Sequence, residues 1–398
     1  MIDLAINGVI LRVNNKALGA VGDIPVLGKT IAEWVGAVIR APYKIVEWSS
    51  VINMIEPLRA AVDKSKPVTV VLFSDTPLIG QETLSAAVKA LMEGKGGALA
   101  LPRGYVFKTS YLFETETLFL KAQTGDGQFT AVTDSESLTK VTEELRRRII
   151  RYHSSGGVIF TDVKNTYVDC DVIIESKTVI EPYNFIKGKT IIKAGAHIMP
   201  GNYIEDCIIG RNAVVDSSRL YGSSIGAESH VGPFSYIRPN SVVGSRCRIG
   251  DFVELKNCVI GDGTKVCHLS YIGDAELGRD CNVGCGVIFA NYDGKNKYKS
   301  LVGNRVFIGS NSNIVAPVTI EDRAFIAAGS TITKSVPSQA LAVARARQTH
   351  IPDWKGNVYA PPPESARSAE RSASSEDTRT AVSFADGIID GEGSDNPQ

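Results

Sequence analysis

The chain has 398 residues, 43% hydrophobic and 22% charged, with 43 Lys and Arg balanced by 43 Asp and Glu. That length supports two domains with sizeable cores, and the zero net charge supplies no general attraction for nucleic acid or an anionic membrane. No uncharged apolar run reaches the roughly 18 residues of a membrane helix. Met1-Ile-Asp-Leu-Ala has no basic n-region, and seven scattered cysteines fit reduced thiols, so the expectation is a cytoplasmic protein without membrane insertion.

Residues 1–134 alternate strand and helix patterns, which predicts an α/β domain with a parallel sheet. Pro67-Val-Thr-Val-Val-Leu-Phe-Ser-Asp75 reads as a buried strand ending in a carboxylate. Ligands collect at such strand ends, so Asp75 is a candidate binding residue; the alternative is an acidic residue at a helix N-terminus. Gln81–Glu93 has helical spacing, with Leu84, Ala87, Val88 and Leu91 on one face. Thr133-Asp-Ser-Glu136 is a capping-box pattern with Thr133 as the cap. It opens a linking helix over 135–156 that carries Leu138, Val141, Leu145, Ile149 and Ile150 on its apolar side. Arg146, Arg147 and Arg148 read as its solvated face, and Ser154-Ser-Gly-Gly157 as its end.

From Val168 the period becomes six. Val168, Ile174, Ile180, Ile186, Ile192, Ile198 and Ile204 form one series. Ile225, Val231, Ile237, Val243, Ile249 and Leu255 form a second, and Val302, Ile308, Ile314, Ile320, Ile326 and Ile332 a third. Neither a helix nor a simple strand has this period. It predicts an all-β parallel β-helix over 157–337, with one branched side chain per six pointing inward and roughly nine coils. The polar run from Asn291 to Ser300 breaks the register and predicts a projecting loop. The repeat stops after Pro337; residues 338–355 read as a C-terminal arm, and 356–398, rich in Ser, Pro, Ala, Glu and Gly, as a disordered tail.

Arg238, Glu254, Lys256 and His268 stand out because a repeat core has no use for charge. Together they predict an anion pocket with a general base beside it. The bland alternatives are solvated strand faces for the cations and a hydrogen-bonded structural role for the histidine. Cys281 and Cys285 lack a second ligand pair for zinc, and His197, His230 and His268 lack the motifs of a metal-binding hexapeptide enzyme.

The strings Gly232-Pro-Phe…Arg238-Pro, Asp251-Phe-Val-Glu254-Leu-Lys256, His268-Leu-Ser-Tyr271-Ile-Gly-Asp, Asn291-Tyr292-Asp-Gly, Gly309-Ser310-Asn, Ala327-Ala328-Gly-Ser-Thr and Leu341-Ala-Val-Ala-Arg345 carry a family resemblance. Over about 155–350 the chain resembles the acetyltransferase half of the bacterial bifunctional N-acetylglucosamine-1-phosphate uridyltransferase / glucosamine-1-phosphate acetyltransferase. That resemblance implies a left-handed coil, a homotrimer, and transfer of acetyl from acetyl-CoA to glucosamine-1-phosphate. The product would be N-acetylglucosamine-1-phosphate, for UDP-N-acetylglucosamine and cell-envelope synthesis, with no metal needed for the transfer. It implies His268 as base, with Glu254 orienting it or the substrate. Arg238, Lys256, Tyr271, Asn282 and Lys297 would hold the sugar phosphate. Asn291, Tyr292, Ser310, Ala328 and Arg345 would hold acetyl-CoA, with the Arg345 segment reaching an adjacent chain. Cys285 and Val287 depart from the small residues of the family's Gly-Ala-Gly-Thr string, near the thioester end of that site.

The N-terminal half resembles the family's nucleotidyltransferase domain only through Leu72-Phe-Ser-Asp75-Thr-Pro-Leu-Ile. Leu4-Ala-Ile-Asn-Gly-Val stands where a Gly-rich phosphate loop belongs, and Thr133 where the family has a metal-ligating Asn. Leu101-Pro-Arg runs almost directly into Gly104-Tyr-Val-Phe-Lys, where the family has a sugar-binding section. The reading is a reduced, degenerate nucleotidyltransferase fold that has lost uridyl transfer, with Asp75 a vestigial metal ligand. Two alternatives stand beside the acetyltransferase: a non-catalytic trimeric regulator or scaffold that binds sugar phosphate, and a transferase for another amino-sugar phosphate.

Overall fold

A computed structural model of the chain describes residues 5–48, 54–116, 125–352 and 354. The chain divides into two units after Arg345. The tail read as disordered, 356–398, lies outside the described residues.

The N-terminal part is a five-stranded sheet of β1 (Ile6–Arg12), β2 (Tyr43–Glu47), β3 (Val68–Phe73), β4 (Ala98–Leu101) and β5 (Gly104–Lys108), in the order β2-β1-β3-β5-β4. Alternate residues of β1 face opposite layers. Ile10 packs with Val35, Leu84, Val88 and Leu91 on one side, and Val9 and Leu11 pack with Leu58, Phe107 and Leu112 on the other. The helix Gln81–Glu93 and its four buried residues match the predicted pattern. The sheet is mixed rather than parallel. β1 pairs in parallel with β2 and β3, but β5 pairs antiparallel with both β3 and β4. Only Pro102 and Arg103 connect β4 to β5, and a link that short can return only as a hairpin.

The linking helix spans Ser135–Ser155 and ends at Gly156. Its cap is Asp134, not Thr133; Asp134 and Ser137 satisfy each other's backbone N–H groups. The three arginines are only partly a solvated face. Arg148 donates to the Leu78 carbonyl at 2.8 Å, and Arg146 donates to the Lys164 carbonyl and covers the Tyr167 ring. Lys29 pairs with Asp171 at 2.8 Å, a further tie between the N-terminal part and the first coils.

The repeat forms a parallel β-solenoid whose three faces hold 11, 10 and 9 strands among the described residues. The first face runs from Ile159–Phe160 to Leu341–Ala342, the second from Tyr167–Val168 to Thr331–Ile332, and the third from Ile173–Ile174 to Thr319–Ile320. This is about ten turns of the hexapeptide left-handed β-helix type, one more than the repeat length predicts. All residues of the three series are buried in a continuous core. The series break at the Asn291–Ser300 insertion, at the short step from Val215 to Leu220, and where the corner between the second and third faces shortens. There Ile204 is followed by Ile209, Leu220 by Ile225, Leu255 by Ile260 and Ile272 by Leu277, each step one residue short. Left-handed residues close these tight corners: Asp206, Gly222, Asn257 and Asp274, with φ of 46–53°. The last strand of the first face, Leu341–Ala342, pairs with Phe325–Ile326, so pairing continues past Pro337.

Candidate active site

After the first coil, each turn from the first face to the second passes through a left-handed residue. In five successive coils these are Phe252, Leu269, Gly286, Asn311 and Gly329. The residues just before them are Asp251, His268, Cys285, Ser310 and Ala328. Asp251 and His268 are register partners, and corner bonds continue the ladder: Leu269 N–H to the Asp251 carbonyl, Asn311 to Cys285 and Gly329 to Ser310. Three predicted site residues, His268, Ser310 and Ala328, thus share one edge of the coil. Arg345 joins its end, for a Cβ on Gly329 would stand 3.9 Å from the Arg345 Cδ.

The His268 side chain is 59% exposed, and its Nδ1 lies 2.6 Å from Asp251 Oδ1. That bond holds the Asp251 carboxyl below the usual carboxylate range. The strands meet closely there. A Cβ on Gly250 would fall 1.9 Å from the Cys267 carbonyl oxygen, so only glycine fits. Glu254 does not orient His268. It accepts from Arg238 at 2.9 Å on the second face, while Asp251, on the corner, takes the histidine.

The second face carries the cations. In register, Arg238 follows Ile237, Lys256 follows Leu255 and Gly273 follows Ile272, which stacks Arg238, Lys256 and Gly273 in one row. The Tyr271 ring folds across Gly273, where a Cβ would lie 2.3 Å from the phenol oxygen. Burial raises the Tyr271 pKa. Lys256 Nζ is 3.7 Å from Asp274, which also accepts from Asn257 at 2.6 Å and from the buried Asn291. Burial opposes ionisation of Asp274, yet Asn257, Asn291, Lys256 and Lys297 together hold its carboxyl below the usual range. Lys297 returns from the loop beside Lys256. The Lys256 pKa is lowered, first by that neighbour and then by desolvation. Two ammonium groups held this close favour an anion between them. A cavity of about 270 Å³ opens here, lined by Asn257, Asp274, Glu276 and Lys297 among others.

The structure therefore gathers Arg238, Lys256, Tyr271, Asn291 and Lys297, and separately His268, Ser310, Ala328 and Arg345. Asn282 is on the first face, paired with Lys265 and Phe307. Tyr292 is 59% exposed in the loop and donates to the Gly294 carbonyl. Sequence reading missed Asp251 and Asp274. Their signal was a spacing: Asp251 to His268, Asn257 to Asp274, and Asp274 to Asn291 are each 17 residues, one shortened coil.

The family model described as the GMPPB C-terminal domain matches residues 220–306, and that of the bacterial transferase hexapeptide, six repeats, matches 299–334. The bifunctional protein GlmU of Clostridium acetobutylicum is 51% identical over 217 residues, which are 54% of this chain and 48% of that protein. The C-terminal half of the chain is GlmU-like. The GlmU of Clostridium novyi is 50% identical over the same share of each chain, and that of Clostridioides difficile 48% identical over 54% of this chain and 47% of its own. The chain spans about half the length of these GlmU relatives.

Asp75 belongs to the N-terminal part, outside the GlmU-like half. It lies just past the carboxyl end of β3, as expected, but it opens no helix and its side chain is 2% exposed. Both its oxygens are taken by Arg103, whose Nε donates to one at 2.7 Å and whose terminal nitrogen bonds the other. The short β4–β5 hairpin delivers that arginine, which also lies over the Phe73 ring. A carboxylate neutralised by an internal guanidinium does not fit a divalent metal. Among the described residues no three His, Cys, Asp or Glu side chains gather as a metal site, and no helix is long and apolar enough to cross a membrane. All seven cysteines are unpaired.

Proposed function

We propose that the GlmU-like coil transfers acetyl from acetyl-CoA to the 2-amino group of glucosamine-1-phosphate. The observation that carries this is the exposed His268, bonded to Asp251 at the head of the Cys285–Ser310–Ala328 corner, with the Arg238, Lys256 and Lys297 cations on the adjoining face. An ammonium has no lone pair, so the amine must lose a proton before it attacks the thioester. The neutral amine then attacks the thioester carbonyl, the Nε2 of His268 takes a proton from its nitrogen as the N–C bond forms, and the C–S bond breaks with the thiolate of CoA leaving. Arg238 would grip the phosphate with its planar fork, and Lys256 and Lys297 would hold it as point charges. Their worth is orientation as much as charge. The thioester would lie along the corner from Cys285 to Ala328, and Arg345 would meet the coenzyme.

In this reading the protein works as a cytoplasmic homotrimer, and its product feeds UDP-N-acetylglucosamine synthesis. Its N-terminal part does not make nucleotide sugars, which the Arg103–Asp75 pair supports. The test is thiol release from acetyl-CoA with glucosamine-1-phosphate, for wild type and His268→Ala, run beside a pyrophosphate assay with UTP and N-acetylglucosamine-1-phosphate. Turnover without pyrophosphate, reduced by on the order of 10²–10⁴-fold in the variant, is the expected result. Sugar-phosphate binding without thiol release would favour the non-catalytic regulator. Turnover with another amino-sugar phosphate alone would change the acceptor, and pyrophosphate would overturn the reading of the N-terminal part.

A further inference from the structure

We infer that Asp251 is the positioning residue for His268, fixing the imidazole tautomer whose Nε2 is free to take the amine proton. This deepens the acyl-transfer reading and rests on it. An ionised carboxylate can only accept a hydrogen bond, so the 2.6 Å contact requires the proton on Nδ1. In the neutral ring that leaves the lone pair on Nε2, on the far side of the imidazole.

Three further observations support a built arrangement. Asp251 and His268 are register partners in neighbouring strands, so the backbone ladder sets their separation. Gly250, beside Asp251, allows the close approach to the Cys267 carbonyl. Phe252, the residue after Asp251, stacks on Phe234 with ring centroids 5.6 Å apart, which steadies the turn that aims the carboxylate. The other nearby acid of the site, Glu254, is committed to Arg238. As the imidazole gains its proton, the adjacent carboxylate stabilises the cation that forms. Asp251 touches neither substrate in this scheme and acts through His268.

The experiment uses the full chain with Asp251→Asn, Asp251→Ala and Asp251→Glu. Nitrogen-15 NMR of labelled histidine, with the signal of His268 assigned by its absence in His268→Ala, reads the tautomer of the neutral ring; the chain has five histidines. Steady-state kinetics with acetyl-CoA and glucosamine-1-phosphate run alongside. The wild-type ring should carry its proton on Nδ1, and Asp251→Ala should populate both tautomers. Asp251→Asn should lower kcat by on the order of 10²-fold with little change in KM, and Asp251→Glu should recover part of it. An unchanged tautomer, or Asp251→Ala with wild-type kcat, would overturn the assignment. Absence of turnover in the wild type would instead overturn the acyl-transfer reading, and the tautomer would still decide whether Asp251 sets the ring.

Discussion

Arg103→Ala should destabilise the N-terminal part strongly, because it strips the partner from a buried carboxylate. The Asp75 side chain is 2% exposed and that of Arg103 is 32% exposed. Removing one member of a buried pair costs about 3–5 kcal/mol; with Arg103 a third in water, screening reduces this to roughly 2–4 kcal/mol. The contact of Arg103 with the Phe73 ring is lost as well. Urea unfolding followed by Trp34 and Trp48 fluorescence reads this part of the chain, since Trp48 packs edge-on against Phe73 at 4.9 Å. With an m-value of about 1–3 kcal/mol per molar, the midpoint should fall by on the order of 1 M. The double variant Arg103→Leu, Asp75→Asn should recover much of the loss, as no uncompensated charge remains. Unchanged stability in Arg103→Ala would refute the reasoning. So would a rise in wild-type stability on adding Mg²⁺, which would mean that Asp75 still serves a metal.

Two more predictions concern the coil. The lowered pKa of Lys256, caused first by Lys297, means that its charge is lost at lower pH than an ordinary lysine's. Sugar-phosphate binding should therefore weaken as pH rises through that lowered value. Lys297→Met should move this limb of the KM–pH profile upward, and an unmoved limb would show that the two ammonium groups do not interact. Cys285 is half-buried on the corner between His268 and Ser310. Alkylation should block thiol release, acetyl-CoA should protect, and Cys285→Ala should turn over while resisting the reagent. Equal inactivation of Cys285→Ala would place the sensitive thiol elsewhere.

The repeat was legible because burial is enforced at every coil. A side chain at each sixth position has only the interior to occupy, and one charge there would disrupt the ladder. Helix Gln81–Glu93 was legible for the same reason, its four apolar residues falling on one face. The cap at Asp134 was displaced by one residue because Thr, Asp and Ser can all cap, and only backbone geometry chooses. The parallel sheet was over-extended because strand patterns do not reveal direction. Arg103 could not be matched to Asp75 from sequence, since the two meet only when β5 lies against β3.

By itself the sequence determined the coil, its inward side chains, and the charged residue types that interrupt its repeat. Those are properties of local composition and period. The tertiary structure decided the partners. A corner one residue shorter alters which side chains align in successive coils, and that shift sets His268 beside Asp251 rather than Gly250, and Asn291 beside Asp274 rather than Gly273. Partnership is a property of stacking between coils, which a repeat leaves open until each turn takes its length.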